Sequence, residues 1–243
     1  MLTLVLPCAG SGSRLGAQGA KTLVEVAGKT ILERILDEVI ACFDEIIIVT
    51  RLEDKEEIEN CVQKRFKIES LFKFVVQTSP TGSLDAILVG LEGATAGNDL
   101  VIIWGDQVGV SRSTVSEVCS YIGDSFSNFC MPVISTKSPY VWINLSEEGK
   151  IESVGRKRDG DQSPSEGLAD LGVFGFSSSL REVFLRIRSS IPIQNTRERD
   201  FIYILPAMSQ NAKQCHIIEV HDQKQIISVN TPEELELACE FFG

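Results

Sequence analysis

The order of apolar and amphipathic segments predicts an α/β fold built on a doubly wound, mixed but mainly parallel sheet. Three observations point there. Short apolar runs alternate with helix-like segments through the first half of the chain. The first run, Leu2 to Leu6, leads straight into a glycine-rich loop. The length of 243 residues, with 43% hydrophobic and 23% charged, suits one domain with a large core.

Taken in order, Leu2 to Leu6 reads as a buried strand. Thr30 and Glu33 form a capping box before an apolar periodic segment that reaches Cys42. Glu45 to Thr50 is a second strand, Asp54 to about Phe66 a charged surface helix, and Phe72 to Gln77 a third strand. Pro80-Thr81-Gly82 turns the chain into a helix running to Leu91. Leu100 to Trp104 is a fourth strand ending at Gly105-Asp106, and Ser111 or Ser113 caps a helix to Ile122.

The second half is less regular. Phe129 to Ile134, Val141 to Leu145 and Ile151 to Val154 read as strands, the last two joined by a hairpin turn at Glu147 to Lys150. Arg156 to Gly167 reads as a polar loop, Leu171 to Phe176 as a strand, and a helix follows from about Ser179. Arg197 to Met208 reads as helical, with Pro206 weakening its end. His216 to Val220 and Gln225 to Val229 read as the last strands. Thr231, Pro232 and Glu234 open a final helix with a cap, a first-turn proline and a carboxylate. With no repeat or linker, residues 1–243 read as a single domain, its irregular half forming a small substrate-binding lobe.

The loop after the first strand is built for a polyphosphate. Small residues from Gly10 to Ser13 let backbone N–H groups close on an anion, and Arg14 adds a two-pronged cation. Gly28-Lys29-Thr30 lacks the glycine five residues earlier that a P-loop needs, since position 23 is leucine. Gly10, Gly12 and Gly16 are spaced one residue too long for a dinucleotide loop, and Thr50 and Arg51 stand where an acidic residue should end the second strand.

The pattern that fits resembles the sugar-phosphate nucleotidyltransferase family, and most the uridylyltransferase domain of bacterial N-acetylglucosamine-1-phosphate enzymes. The matching residues are Ala9, Gly10, Gly12, Arg14 and Lys21, then Ala27-Gly28-Lys29, Gln77, Gly82-Ser83, Gly105-Asp106, Ala169 to Gly172, and Val229-Asn230. The resemblance spans nearly the whole chain. It implies a Rossmann-like fold of the nucleotide-diphospho-sugar transferase type and a Mg²⁺-dependent enzyme. Such an enzyme joins a nucleoside monophosphate from UTP or CTP to a phosphorylated acceptor, a sugar-1-phosphate, and releases pyrophosphate. By the same resemblance Arg14 and Lys21 are catalytic, contacting the triphosphate. Ala9, Gly10, Gly12, Gln77, Gly82 and Ser83 bind the nucleotide, and Asp106 and Asn230 hold the metal. Asp106 also stands on its own chemistry, as a carboxylate beyond the carboxyl end of a strand, where Mg²⁺ can be held against phosphates.

The nucleotide half of the signature is kept and the acceptor half is altered. Val141 follows tyrosine where the family has glycine, Arg156 stands at a glutamate position, and Asp170 replaces an asparagine. These three are the candidate acceptor-binding residues, and Arg156 would suit a more anionic acceptor. Ala20 replaces a proline before Lys21. Alternatives are a cytidylyltransferase for phosphocholine, a phosphonate or a polyol phosphate, and a non-catalytic nucleotide-binding regulatory domain.

A net charge of −11 argues against nucleic acid as a partner. No stretch is long enough for a membrane span, and homo-oligomerisation stays open. Seven cysteines without CxxC or zinc spacing read as free thiols in a reducing compartment, hence a cytoplasmic location. The chain stops at Gly243, so the hexapeptide-repeat domain of the long uridylyltransferases is not expected.

Overall fold

A computed structural model describes residues 1–10, 12–16, 19–79, 81–123, 128–191 and 198–243. The expected α/β architecture is present. The first half supplies β1 (Leu2–Pro7), the small hairpin β2 (Glu25–Val26) and β3 (Lys29–Thr30), α1 (Ile31–Val39), β4 (Glu45–Thr50), α2 (Lys55–Phe66), β5 (Phe72–Val76), α3 (Ser83–Gly93), β6 (Asp99–Ile103) and α4 (Arg112–Gly123). The second half supplies β7 (Asn128–Lys137), β8 (Val141–Leu145), β9 (Ile151–Arg156), β10 (Glu166–Asp170), β11 (Val173–Phe176), α5 (Leu180–Ile187), α6 (Leu205–Asn211), β12 (Gln214–Glu219) and α7 (Pro232–Phe242).

β5, β4, β1 and β6 lie side by side, all parallel. β11 then runs antiparallel to β6 and to β7, and β10 is antiparallel to β7 and β8. β8 and β9 form a hairpin, while β12 pairs with β7 in parallel. The strand period of two sorts side chains onto two faces. Leu4 and Leu6 of β1 and Ile46 and Ile48 of β4 pack with α1, α2 and α4. The intervening Val5, Ile47 and Val49 pack with α3, α5 and α6. Helices therefore cover both faces, which is what doubly wound means.

Local chemistry explains the ends of these elements. Glu33 N–H donates to Thr30 Oγ1 at 3.1 Å while Thr30 N–H donates to Glu33 Oε2 at 2.8 Å, the expected capping box. Ser111 Oγ accepts from Thr114 N–H at 3.3 Å and so is the residue that starts α4.

Four readings of the second half are corrected. Arg156 is not in a loop but ends β9, buried, and Glu166-Gly167 already belong to β10. The strand expected at Leu171 starts at Val173, because Leu171-Gly172 separate β10 from β11. Gln225 to Val229 is not a strand. It begins in a 3-10 turn and exchanges hydrogen bonds with the loop after β6, Val229 N–H donating to Asp106 O at 3.0 Å and Ile227 O accepting from Gly109 N–H at 2.9 Å. Pro206 sits in the first turn of α6, where its missing N–H costs nothing, rather than at its end. Pro80 and Arg197, which open two expected elements, lie outside the described residues.

No helix among the described residues is long and apolar enough to cross a membrane. All seven cysteines are free thiols.

The sheet edge opposite the site is tied by one carboxylate. Glu45 accepts from Thr3 Oγ1 at 2.8 Å, Thr95 N–H at 3.0 Å, Thr95 Oγ1 at 2.8 Å and the Lys73 ammonium. Burial would raise its pKa, but these donors outweigh burial and hold it at about 2, against 4.5 unperturbed. The stabilisation is therefore full above pH 4.5 and is lost as pH falls through about 2. Glu45→Gln is expected to cost about 2–3 kcal/mol at pH 7, and the gap to the unmodified protein should close on acidification. Denaturant melts across that range check it; a pH-independent gap would refute the assignment.

Candidate active site

β1 lies between β4 and β6, and the chain leaves β1 toward opposite sides of itself to make them. The carboxyl ends of β1 and β6 therefore flank a crevice of the kind that ligands occupy in open α/β sheets. The two loops touch. A Cβ at Gly105 would lie 2.5 Å from Pro7 O, so only glycine lets the β6 loop come this close.

Side chains from distant segments meet over that crevice. Lys21, in a 3-10 turn after the glycine loop, places Nζ 2.6 Å from Asp106 Oδ2 and 2.8 Å from Asn230 Oδ1. Arg14 Nη2 donates to the same Asn230 oxygen at 3.3 Å. Gly12 takes a left-handed backbone, φ 63°, that opens the turn carrying Arg14. Asn230 is fixed from behind: its N–H donates to Glu234 Oε2 at 2.6 Å and its Nδ2 to Ser228 Oγ at 3.2 Å. Thr231 caps α7 as expected. The Asp106 carboxylate and the Asn230 amide oxygen converge on the Lys21 ammonium, and these are the two oxygens that could hold a cation together. Hard oxygen donors fit Mg²⁺, which completes its shell with phosphate and water.

A cavity of about 1000 Å³ opens from this point. Every residue given a catalytic, nucleotide-binding, acceptor-binding or metal role from the sequence lines it except Gly12: Ala9, Gly10, Arg14, Lys21, Gln77, Gly82, Ser83, Asp106, Val141, Arg156, Asp170 and Asn230. Gln77 Nε2 donates to Gly82 O at 3.2 Å, which orients the amide. Gly82 has φ +116°, and a Cβ there would meet Arg199 O at 2.4 Å. Ser11 of the loop lies outside the described residues.

Arg156 lines the cavity but is not a free cation. Its guanidinium binds Asp159 through Nε at 2.7 Å and Nη2 at 3.1 Å, and Asp200 through Nη2 at 2.6 Å. Burial would lower its pKa, but the two carboxylates hold it above its ordinary value. Asp159 is held below the usual carboxylate range, its own burial outweighed by Arg156 and the Tyr203 hydroxyl. Asp170 is pushed up to about 6 by burial, reinforced by the charge of Asp106 and opposed by Gly172 N–H. The Cys8 thiol, pushed up to about 12 by burial, stays protonated and is no nucleophile.

Sequence reasoning missed Gln107 and Asp200. Gln107 Nε2 donates to Gln225 O at 2.6 Å, which helps hold the segment leading to Asn230 over the β6 loop. Neither residue sits in a motif: Gln107 meets a partner 118 positions away in the chain, and Asp200 meets partners 117 and 44 positions away.

Comparisons with known proteins point to a family. Residues 4–169 match the model of the MobA-like NTP transferase domain. The chain is 24% identical over 246 residues to a probable UDP-N-acetylglucosamine pyrophosphorylase of Acanthamoeba polyphaga mimivirus, covering 97% of this chain and 94% of that protein. It is 22% identical over 244 residues to the bifunctional protein GlmU of Campylobacter fetus, covering 98% of this chain and 53% of the relative. A GlmU of Caldicellulosiruptor saccharolyticus is 19% identical over 241 residues, covering 97% and 50%. The chain thus spans about half the length of the GlmU relatives it matches. With a family model matching well over half of its residues, and with its ordered motifs gathered in one crevice, the chain belongs to the MobA-like NTP transferase family, among the sugar-phosphate nucleotidyltransferases.

Proposed function

We propose that this chain transfers a nucleotidyl group from UTP or CTP to a phosphorylated acceptor, a sugar-1-phosphate, with release of pyrophosphate and dependence on Mg²⁺. The observation that carries the reading is the convergence of Arg14, Lys21, Asp106 and Asn230, from separate segments, on one point of the crevice. An acceptor phosphate oxygen is already a nucleophile, so no strong general base is required. The work is positioning and charge neutralisation.

Each residue has a role in that scheme. The loop around Ala9 and Gly10 offers backbone N–H groups to the triphosphate. Arg14 and Lys21 bind its oxygens and stabilise the charge that grows on departing pyrophosphate. For Lys21 this means exchanging carboxylate and amide oxygens for phosphate. Asp106 and Asn230 would then hold Mg²⁺, which supplies Lewis-acid charge against the phosphates. Gln77, its Nε2 engaged by Gly82 O, leaves Oε1 to accept from a pyrimidine N–H. The names of the relatives favour UTP and an N-acetylglucosamine phosphate. Val141, Arg156 and Asp170 favour a different acceptor, because the family's glycine, glutamate and asparagine are absent.

A panel of triphosphates against phosphorylated acceptors, read by pyrophosphate release, tests the reading. Release with UTP or CTP that stops on chelation of divalent cations is expected; no release with any pair would refute it. N-Acetylglucosamine-1-phosphate should be a poor acceptor, and selective use of it would show that the altered positions do not change specificity.

Asp106→Asn should reduce turnover by about 10²-fold or more, the scale for losing one preorganised electrostatic contact, with Asn230→Ala milder. Melting temperature should stay near that of the unmodified protein. Near-normal rates in Asp106→Asn would remove the metal role.

Arg14→Ala and Lys21→Ala should each lower kcat/KM by about 10²-fold. Arg14→Lys should recover only part of this, because a point charge cannot replace a fork. Steady-state kinetics with the triphosphate varied decide it.

A further inference from the structure

The two halves of the cavity are physically joined at one carboxylate. Asp200 Oδ1 accepts from Ser83 Oγ at 3.3 Å, on the nucleotide side. Its Oδ2 accepts from Arg156 Nη2 at 2.6 Å, on the acceptor side. Asp200 is 6% exposed and lines the cavity between them.

Backbone bonds make the nucleotide side of this joint stiff. Arg199 N–H donates to Thr81 O at 3.0 Å, Leu84 N–H to Arg199 O at 3.0 Å, and Phe201 N–H to Ser83 Oγ at 3.0 Å. Gly82 has no side chain, so the Arg199 backbone packs directly against it; a Cβ there would lie 2.8 Å from Arg199 N. The next residue anchors the joint from below. Phe201 is fully buried, with its ring 5.5 Å from Trp104 and 5.0 Å from Phe174. On the acceptor side, Arg156 is gripped by Asp159 and lies over the Tyr203 ring at 5.7 Å. A shift of Ser83 therefore has a short path to Arg156, and Asp200 is its middle.

We infer that Asp200 is a positioning residue that couples triphosphate binding to acceptor binding. The inference rests on the transfer reading above. When a nucleotide base settles on the turn that begins α3, Ser83 is fixed. Asp200 then holds Arg156, and with it the wall that meets the acceptor, in the productive position. Coupling between two sites is reciprocal in binding free energy. An acceptor that seats Arg156 should in turn favour the nucleotide-bound form of Ser83.

The test reads effects across the joint, which a merely structural ion pair would not produce. Ser83→Ala, on the nucleotide side, should raise the acceptor KM at least about fivefold, the low end of ordinary coupling. Arg156→Lys, on the acceptor side, should raise the KM for UTP or CTP by a similar factor. Both cross effects should vanish when the same changes are made in Asp200→Asn. Ser83→Ala and Arg156→Lys both keep Asp200, so their cross effects are readable even if Asp200→Asn does not fold. Turnover in which each change moves only its own substrate's KM would overturn the coupling and leave the transfer reading standing. No pyrophosphate release from the unmodified protein with any pair would overturn the transfer reading, and the coupling with it.

Discussion

The site closes on the Lys21 ammonium. Asp106 and Asn230 bring an anionic and a neutral oxygen to within 2.8 Å of it, and Arg14 stands behind the same amide. An ammonium compensates the carboxylate in a crevice where water is partly excluded. It also keeps the two oxygens facing one point. The approach of the β1 and β6 loops makes this possible, and that approach needs a residue without a side chain at position 105. Parallel strands deliver both loops to the same sheet edge, so fold and chemistry share one constraint.

The two ends of the cavity are built by different physics. The phosphate end is cationic and backbone-rich, with Arg14 and Lys21 over a glycine loop. The acceptor end rests on aromatic packing and a buried ion cluster. Phe201 packs edge-on against Trp104 and Phe174, and Arg156 is balanced by Asp159 and Asp200. Such a cluster contributes little net stability, because desolvation opposes the Coulomb attraction. What it supplies is fixed geometry. Arg156 is already compensated, so that end of the cavity presents oriented groups rather than bare positive charge.

The phosphate end was legible in the sequence because its residues are close to their elements' ends and keep a set order. Gly10, Arg14 and Lys21 follow one strand, Asp106 ends another and Asn230 precedes a capped helix. Arg156 was misread because composition marks 156–167 as polar loop, whereas Arg156 is buried by partners that local sequence does not reveal. The strand expected at Gln225 to Val229 failed for a related reason. Its apolar residues are buried against a loop, and strand propensity cannot tell a sheet edge from such a surface.

Hydrophobic periodicity, glycine placement and capping residues by themselves determined the parallel half of the sheet, its helices and the crevice at the ends of β1 and β6. These are local signals, written within a few residues of where they act. Apart from the β8–β9 hairpin, the antiparallel pairings, the burial of Arg156, and the bond from Ser83 to Asp200 across 117 positions were decided only by tertiary structure. Their partners are distant in the chain, and no local pattern encodes which carboxylate will meet which cation once the core has closed.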